Sequence, residues 1–388
     1  MSAEEREPGS RGLHRRRVLH VVEAFGGGVA AAVRDYVRAL PECEHHLVCR
    51  LRPEAGTLES GWADEFTSIH RIDAGHIAGH IGATRFVRDT ILRLQPDVVH
   101  AHSSYAGVWA RAASKRTANV RYVYTPHAWA FDREDKSAGE RRAYRAVERL
   151  LSSRTDVLAG CSRAENLEAR KWSARIRTVY VPNVAPEPHE EVAGVPIQPW
   201  TDPRGPLLVG SGRLTLQKDP VWFAEAVTAL RASGHAVRAL WVGGGDDRLQ
   251  AGLERQGIEV TGWVGPSTVL RRLAAADLYL HTARWEGFPI TVLEAARLGR
   301  PMAVRAIRAF DGIGMPLVLQ EPEDLVRNWH RLHDVQARHT MVAEQHAALW
   351  ENSRAMQRER LAEAYDLELL STGALAIDLI APEGQERR

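Results

Sequence analysis

Short apolar runs alternate with amphipathic stretches along the chain from Val18 onward. The runs VLHVV, HHLVC, DVVHA, RYVYT, DVLAG and TVYV have the length and composition of buried strands, and GGGVAAAVRDYVRAL between the first two has a helical pattern. Strands that alternate with helices are typical of a parallel sheet covered by helices. The first half of the chain is therefore predicted to form an α/β layer structure.

The alternation starts again after a proline-rich stretch. Residues 182–206 hold seven of the 19 prolines, which predicts a linker at 186–206. Beyond it come the strand-like runs LLVGS, AVRALWVG, EVTG, DLYLHT and PMAVR, with helices predicted from Pro220, near Arg248, near Val269 and from Pro289. We predict two doubly wound, Rossmann-like domains, 18–185 and 207–348, that face a central cleft at the carboxyl ends of their strands.

Three further segments complete the predicted organisation. The polar residues 1–17 are predicted to form a flexible leader, residues 349–372 a helix after the second domain, and residues 373–388 a tail. The leader contains Arg15, Arg16 and Arg17, for which a solvated tail is favoured over contact with lipid head groups.

Composition indicates an ordinary globular protein. Of the 388 residues, 44% are hydrophobic and 26% charged, and the net charge of +2 gives no strong attraction to nucleic acid. The three cysteines are few and odd in number, which fits a reducing cytoplasm without a disulfide framework. No apolar run reaches the roughly 18 residues of a membrane helix. We therefore expect a cytoplasmic protein.

The stretch RWEGFPITVLE places Glu286 and Glu294 eight positions apart. Gly287 permits a sharp turn, and Pro289 suits the first turn of a helix, so the first glutamate lies on a loop and the second inside the helix. Two interpretations remain open. The glutamates are surface charges at a strand-to-helix turn, or both carboxylates accept hydrogen bonds from the hydroxyls of a sugar and a ribose.

A second candidate lies in GSGRLTLQKDP, between a predicted strand and a predicted helix. Arg213 and Lys218 are five positions apart there, and two cations at the mouth of a cleft could hold a diphosphate. Two solvated loop charges are an equally good explanation of the spacing alone. Lysine is scarce, at four residues against 47 arginines, which favours a specific role for Lys218.

The glycine-rich segment FGGGVAAAV follows the first predicted strand. Gly26, Gly28 and Ala31 satisfy a loose dinucleotide fingerprint, but the acid expected at the end of the second strand is missing, so NAD binding is disfavoured. The loop still offers backbone N–H groups at a helix N-terminus, where phosphate binds well. His127 in YTPHAW ends another predicted strand; alone it is more often structural, although its position favours a role in the cleft.

Several chemistries lack their usual motif. No two aspartates are separated by one residue, so an Asp-x-Asp metal clamp is absent, and the histidine and cysteine spacings predict no zinc site. The adjacent His45 and His46 are best explained as neutral surface histidines. There is no Gly-x-Ser-x-Gly elbow and no Walker loop.

With these segments in view, the chain resembles the retaining glycosyltransferases of family 4, which have the GT-B fold. The resemblance extends from about Val18 to Tyr365 and rests on VLHVVEAFGGGVA, PDVVHAHSS, YTPHAWAF, GCSRAE, VPN, GRLTLQKDP, GWV and, most specifically, RWEGFPITVLEA. The HAHSS and TPH segments are most similar to enzymes that build cell-surface polysaccharides or related glycoconjugates. In this fold the C-terminal helix crosses back to the first domain.

The resemblance implies a role for each matching residue. Glu294 would accept both ribose hydroxyls, Glu286 would hold the transferred sugar, and His127 would contact that sugar near the reacting carbon. The remaining implied contacts are Arg213, Lys218, Gly27 and Gly28 to the diphosphate, Phe288, Pro289 and Ile290 beside the sugar, and Gly262 to Val264 beside the base.

The chain also departs from the family pattern. It has His127-Ala128 where the family often has His-Gly, and Asn183-Val184 where the family often has Asn-Gly. RAIRAFDGIG replaces the usual glycine-rich loop after Met302 and brings Arg305 and Arg308 near the phosphates or the acceptor.

The activity implied is transfer of a sugar, with retention, from a nucleotide-diphosphate sugar to a hydroxyl acceptor, without a metal or other cofactor. Uridine is the family's usual base. A lipid-linked glycan or a small molecule would be the acceptor, nucleic acid is not expected as a partner, and peripheral contact with the inner face of the membrane is compatible. A sugar-nucleotide epimerase and a non-catalytic nucleotide-sugar-binding protein remain alternatives, and an NAD oxidoreductase is a third.

Overall fold

The fold consists of two parallel α/β domains. The computed structural model describes residues 15–51, 61–72, 79–114, 120–172, 176–186, 192 and 195–368. Most of the predicted leader 1–17, part of the linker 186–206 and the whole tail 373–388 therefore lie outside the described residues. Within the described part, each apolar run named above forms a strand, so the predicted α/β architecture is confirmed.

The first domain is built on a parallel sheet with the strand order β3-β2-β1-β4-β5-β6-β7 among the described residues. Its strands are β1 (Arg17–Phe25), β2 (Glu44–Leu51), β3 (Ser68–Arg71), β4 (Val98–His102), β5 (Arg121–Thr125), β6 (Val157–Gly160) and β7 (Arg177–Tyr180). Its helices are α1 (Gly27–Ala39), α2 (Gly79–Leu94), α3 (Ser104–Ala113), α4 (Ala138–Ser152) and α5 (Arg163–Arg170).

The second domain repeats this plan with the strand order β10-β9-β8-β11-β12-β13 in the described part of the chain. Its strands are β8 (Leu207–Ser211), β9 (Arg238–Val242), β10 (Glu259–Val260), β11 (Leu278–His281), β12 (Met302–Arg305) and β13 (Val318–Leu319). The helices of this half are α6 (Pro220–Ala232), α7 (Asp247–Arg255), α8 (Pro266–Ala274), α9 (Ile290–Arg297), α10 (Glu323–His333), α11 (Val335–Ala348) and α12 (Arg354–Tyr365).

The strand order reverses direction once in each sheet. β1 lies between β2 and β4, and β8 lies between β9 and β11, with all pairs parallel. At such a point the loops on the two sides of the reversal diverge and leave a crevice beyond the carboxyl ends of the strands. Both crevices open into the cleft between the domains, where the predicted site residues lie.

Helix α12 belongs to the core of the first domain although it follows the second. Leu361 and Tyr365 are at most 1% exposed and pack in one apolar cluster with Val18 of β1 and Tyr36 of α1. The Tyr365 hydroxyl lies 2.7 Å from Nδ1 of His100 on β4. The crossing back to the first domain that the resemblance implied is therefore present.

The bounds of this helix differ from the prediction of 349–372. Helix α11 ends at Ala348, and α12 begins only at Arg354, because the Ser353 side chain caps it by accepting a hydrogen bond from the Met356 N–H at 3.3 Å. It ends at Tyr365, where Asp366 adopts a left-handed conformation with φ of 59°. No helix among the described residues is long and apolar enough to cross a bilayer.

Candidate active site

The cleft between the two domains contains a cavity of about 450 Å³. The first domain contributes loops that follow β4 and β5, and the second contributes the loops that follow β8 and β11. The lining residues include Ser103, His127, Arg213, Gln217 and Trp285. Two of the residues predicted from sequence, His127 and Arg213, thus face one cavity from opposite domains.

Lys218 and Glu286 form an ion pair in this part of the second domain. The Lys218 ammonium donates to Oε1 of Glu286, and their side chains are 20% and 12% exposed. Two bonds hold the loops that carry them together: the Arg284 N–H donates to the Gln217 carbonyl, and the Thr282 hydroxyl donates to the Lys218 carbonyl, both at 2.8 Å. The two predicted motifs therefore form one unit.

Glu294 lies half-buried on α9, within the same segment. The helix begins at Ile290, with Pro289 as its N-cap residue and not inside the first turn as predicted. Burial, reinforced by the negative charge of Asp35, raises the pKa of Glu294 to about 7. A carboxyl group in this state exchanges its proton near neutral pH, and as a carboxylate it could accept two hydroxyl hydrogen bonds.

The glycine turn of the first domain reaches this helix across the cleft. Gly27 has φ of 55°, a left-handed conformation that a glycine adopts without strain, and it opens α1. A side-chain carbon placed on Gly28 would lie 3.9 Å from Cδ1 of Ile290. The N-termini of α1 and α9 therefore approach each other, as anion binding by both would require.

Gly287 is required by a close backbone approach between the domains. A side-chain carbon at this position would lie 2.7 Å from Sγ of Cys161, 2.8 Å from the Ala128 nitrogen and 2.9 Å from the His127 carbonyl carbon. Next to it, Phe288 is buried, and its carbonyl accepts a hydrogen bond from the Asn183 side chain at 2.9 Å. The Glu286 loop is thus packed directly on the His127 loop.

His127 and Ala128 both adopt positive φ, at 51° and 80°. Such angles are strained for residues with a side-chain carbon, and glycine, which the family often has at the second position, would adopt them freely. The strained backbone is held because the Ala128 N–H donates to Oε1 of the buried Glu165 at 2.8 Å. Ala128 therefore adopts a left-handed conformation although it has a side-chain carbon.

Gly262 and Val264 lie near the carboxyl ends of β9 and β10. Gly262 has φ of 68° and forms a bridge with Gly243, and Val264 packs against the apolar cluster that contains Val292 of α9. Their predicted place beside a base stays a prediction.

Arg305 and Arg308 both form ion pairs with carboxylates, and their place near the phosphates or the acceptor stays a prediction. Arg305 donates to Oδ2 of Asp219 at 2.7 Å and to the Thr282 carbonyl at 3.2 Å, so it supports the base of the Lys218 loop. Arg308 donates to Asp132 at 2.9 Å and to Glu168 at 3.1 Å, both in the first domain. Arg308 therefore links the two domains.

A run of buried histidines was not predicted from the sequence. Nδ1 of His45 lies 3.1 Å from Nε2 of His20, Nδ1 of His20 lies 3.1 Å from Nε2 of His102, and Nδ1 of His102 lies 3.1 Å from Nε2 of His127. We call these four residues the histidine chain. The prediction that His45 and His46 are surface residues is wrong: they are 3% and 6% exposed, because β2 is covered on both faces.

Three histidines in this region, His20, His100 and His102, are close enough together to hold a metal ion. Both ring nitrogens of each are already within hydrogen-bond distance of protein groups. Those of His20 and His102 join the histidine chain, and those of His100 meet Tyr365 at 2.7 Å and Thr125 at 2.8 Å. Hydrogen bonding therefore accounts for all six nitrogens, and metal independence stays a prediction.

Two Rossmann-like domains that face one cleft are the architecture of the GT-B class of enzymes. Residues 27–184 match the family model described as a glycosyl transferase 4-like domain, and residues 205–334 match that of glycosyl transferases group 1. The chain belongs to the glycosyltransferases built from these two domains.

Three curated relatives support this assignment. The putative teichuronic acid biosynthesis glycosyltransferase TuaC of Bacillus subtilis is 31% identical, over 54% of this chain and 53% of its own length. UDP-Gal:alpha-D-GlcNAc-diphosphoundecaprenol alpha-1,3-galactosyltransferase of Escherichia coli is 25% identical, over 54% and 58%. The GDP-mannose-dependent alpha-(1-6)-phosphatidylinositol dimannoside mannosyltransferase of Mycobacterium tuberculosis is 29% identical, over 76% and 81%.

Solved structures show the same fold at low sequence identity. Sucrose-phosphate synthase from Thermosynechococcus elongatus superimposes with a TM-score of 0.69 at 16% identity, over 91% of this chain and 98% of that protein. Anabaena HepE in complex with UDP gives a TM-score of 0.66 at 16% identity, over 90% and 99%.

Proposed function

We propose that this glycosyltransferase transfers a sugar from a UDP-sugar to a hydroxyl of a lipid-linked glycan in polysaccharide or glycolipid biosynthesis, with retention and without a metal. One observation carries the proposal: Lys218 is paired with Glu286 on the cleft wall, in the segment that continues into Glu294 and faces the glycine turn of Gly28. A cation, a sugar-binding carboxylate and a ribose-binding carboxylate thus follow one another along one surface.

The chemistry follows from where charge develops. When the anomeric carbon–oxygen bond breaks, negative charge moves onto the leaving diphosphate, and fixed cations and amides directed at it stabilise the transition state more than the ground state. Lys218 and Arg213, with the amides of Gly27 and Gly28, are the groups that we assign to this role. Glu286 is paired with an ammonium, which suits a group that binds sugar hydroxyls better than a nucleophile.

The donor and acceptor classes are supported by relatives. The E. coli relative is named for a UDP-galactose donor and a diphosphoundecaprenol-linked acceptor, and Anabaena HepE was solved with UDP. The M. tuberculosis relative is named as GDP-mannose-dependent, so guanine is the competing base. The loop from Gly262 to Val264 is the place at which the base would be distinguished.

The test begins with thermal shifts against a panel of nucleotides and nucleotide sugars. A ligand at about 100 times its Kd stabilises the fold by roughly 2.7 kcal/mol, which is readily measured. Uridine ligands are expected to stabilise more than guanosine or adenosine ligands, and the stabilising donor is expected to be slowly hydrolysed.

Product stereochemistry and metal dependence complete the test. Proton NMR of the fresh product should show the anomeric configuration of the donor, and turnover should survive EDTA. An inverted product would refute retention, and activity that returns only with Mg²⁺ or Mn²⁺ would refute metal independence. Stabilisation by guanosine ligands alone would overturn the uridine assignment.

A further inference from the structure

The histidine chain ends on a group that can only accept a hydrogen bond. Nε2 of His45 lies 2.9 Å from the backbone carbonyl oxygen of Leu40. A carbonyl has no proton to give, so this nitrogen must carry the N–H. The Nδ1 of a neutral His45 is then bare and accepts a hydrogen bond.

This end fixes the position of every proton along the chain. Because Nδ1 of His45 accepts, the N–H of His20 is on Nε2, and its Nδ1 accepts in turn. The same step gives His102 its proton on Nε2, and then His127 its proton on Nε2. Each ring donates through Nε2 and accepts through Nδ1. The last ring, His127, is left with a bare Nδ1.

This order of protons holds when all four rings are neutral, and their surroundings favour that state. His20 and His102 are fully buried, and His45 is 3% exposed. Burial, with the charge of neighbouring histidines, holds the pKa values of His20 and His102 well below the usual range. Burial likewise lowers the pKa of His45 and takes that of His127 to about 4.

The bare Nδ1 of His127 is available to a ligand. His127 lines the interdomain cavity, and within the described residues no group is hydrogen-bonded to its Nδ1. Nδ1 of His127 is not a buried atom, so a ligand in the cavity can reach it. We propose that His45, His20 and His102 are positioning residues that fix the tautomer of His127, so that its Nδ1 accepts a hydrogen bond from a substrate hydroxyl.

The direction of hydrogen-bond donation along the histidine chain decides what His127 can bind. With the proton on Nε2, His127 accepts from a hydroxyl of the sugar or of the acceptor and cannot donate to a phosphate oxygen. If the histidine chain donated in the opposite direction, Nδ1 of His127 would carry the proton and could donate to a phosphate oxygen. The use of the lone pair rests on the proposed function, whereas the tautomer is a property of the protein alone.

The tautomer can be read without any substrate. The full chain, labelled with ¹⁵N at histidine, is examined at neutral pH by long-range ¹H–¹⁵N NMR, and the His127 signals are assigned by their loss in His127→Gln. We expect a pyrrole-type Nε2 and a pyridine-type Nδ1 for His127 in the wild-type protein. A protonated Nδ1 would overturn the proposal.

His45→Phe removes the ring that sets the direction of hydrogen-bond donation along the histidine chain, and it leaves His127 in place. Reversing the hydrogen bonds along the histidine chain then no longer breaks the bond to Leu40. The ratio of Nε2-protonated to Nδ1-protonated His127 should therefore fall by at least about fivefold. His46→Phe is the matched control, because His46 is adjacent, buried and bonded at 2.8 Å to Ser68, which is not part of the histidine chain. An unchanged ratio in folded His45→Phe, or an equal change in both variants, would contradict the proposal.

A kinetic comparison separates this inference from the proposed function. Once a donor is known, His45→Phe should lower kcat/KM more than His46→Phe does, with the affinity for free nucleotide diphosphate unchanged. If NMR shows the predicted tautomer but no donor is turned over, the proposed function is refuted and the positioning assignment stands. Turnover that is equal in the two variants would refute the link between tautomer and substrate.

Discussion

The Lys218 ammonium forms an ion pair with the Glu286 carboxylate. The pair is partly shielded, because both side chains are at most 20% exposed and the loops that carry them are bonded to each other. An entering diphosphate would therefore share an ammonium whose position is already fixed. Preorganised charge of this kind acts on the transition state without needing to reorient during reaction.

Lys218→Ala should accordingly lower kcat by about 10² to 10³, the usual loss when one donor to a developing anion is removed. Lys218→Arg should recover part of the rate, because a planar guanidinium replaces a compact ammonium. Lys171→Ala is the control, since Lys171 is an exposed lysine that pairs with Glu168 at 3.1 Å. Steady-state kinetics on protein verified as folded by circular dichroism gives the answer, and near-normal turnover in Lys218→Ala would show the assignment to be wrong.

Under the proposed function, Glu294 should make donor binding depend on pH. Its pKa of about 7 lies above the usual value, so the carboxyl is protonated at pH 6 and must lose that proton to accept two ribose hydroxyls. The affinity for an intact nucleotide sugar should therefore rise with pH by up to about tenfold per unit below pH 7, and level off above it.

Calorimetry from pH 5.5 to 8 measures this slope. Glu294→Gln should bind more weakly and lose the slope, whereas Glu286→Gln should weaken the intact donor but keep the slope. A slope that persists in Glu294→Gln would assign the titration to another group. Asp35, whose pKa burial raises to about 7, would be the first to examine.

Ala128 carries backbone strain in the loop that places His127. With φ of 80°, an alanine is less stable than glycine by about 1–2 kcal/mol, which exceeds the entropy that a glycine adds to the unfolded chain. Ala128→Gly should raise the free energy of unfolding by about 0.5–1 kcal/mol in urea denaturation. Ala130→Gly, two residues on in a short 3₁₀ helix, should lower it by a similar amount. Destabilisation by both substitutions would argue against stored strain at Ala128.

At the level of the element, hydrophobic pattern predicted strands and helices well where the runs are apolar. It missed β3, whose sequence SIHR is polar, and β13, which contains only Val318 and Leu319. Both strands lie at sheet edges, where one side has no neighbour and the pattern is weakest. The glutamates and Lys218 were found because each stands near a turn signal on its own strand-to-helix connection.

The histidine chain was missed because its members are distant in sequence. His20, His45 and His102 lie on β1, β2 and β4, and only the strand order β2-β1-β4 brings them together. One local signal was available: His100 and His102 alternate along a strand and so point to the same face of the sheet. Two polar rings on one face of a strand buried throughout need partners there.

Helix α12 contributes a buried hydrogen bond as well as apolar surface. The Thr125 hydroxyl donates to the Ala159 carbonyl, so it accepts from Nε2 of His100, whose Nδ1 must then accept from the Tyr365 hydroxyl. Tyr365→Phe would leave that buried nitrogen unpaired and should destabilise the protein by about 1–3 kcal/mol.

Tyr36→Phe provides the comparison for this measurement by chemical denaturation. Tyr36 stacks on His100 with a centroid distance of 5.7 Å, yet its buried hydroxyl has no hydrogen-bond partner among the described residues. Its loss should cost little or even stabilise the fold. If Tyr36→Phe is as destabilising as Tyr365→Phe, the assigned direction of the His100 bond is wrong.

In the whole molecule, ion pairs bridge the two domains beside the cleft. Arg308 reaches Asp132 and Glu168, and Arg284 reaches Glu134 at 3.1 Å. Both arginine side chains are at least 33% exposed, so solvent screens each pair and limits its contribution to about 1 kcal/mol. Pairs of this strength would bias an opening of the cleft without preventing it.

Arg308→Ala should therefore shift the balance toward an open cleft by up to about fivefold, because one bridge between the domains is lost. Small-angle scattering of the free protein should show a larger radius of gyration, and donor affinity should fall by a similar factor. Arg327→Ala is the control, since among the described residues Arg327 pairs with Glu321 and Asp324, which lie just before and within its own helix. The same radius and affinity in wild type and Arg308→Ala would show that this bridge does not govern opening.

The position of α12 also sets an order of events during synthesis. The apolar cluster around Val18 and Tyr36 is completed by Leu361 and Tyr365, which leave the ribosome more than 300 residues later. Domains commonly fold in turn as the chain emerges, at about 5–20 residues per second. Here the N-terminal domain is made first but finished last, so its incomplete core stays exposed while the second domain is translated. Nascent chains stalled before Arg354 should remain sensitive to protease in the first domain, and chains released after Tyr365 should become resistant.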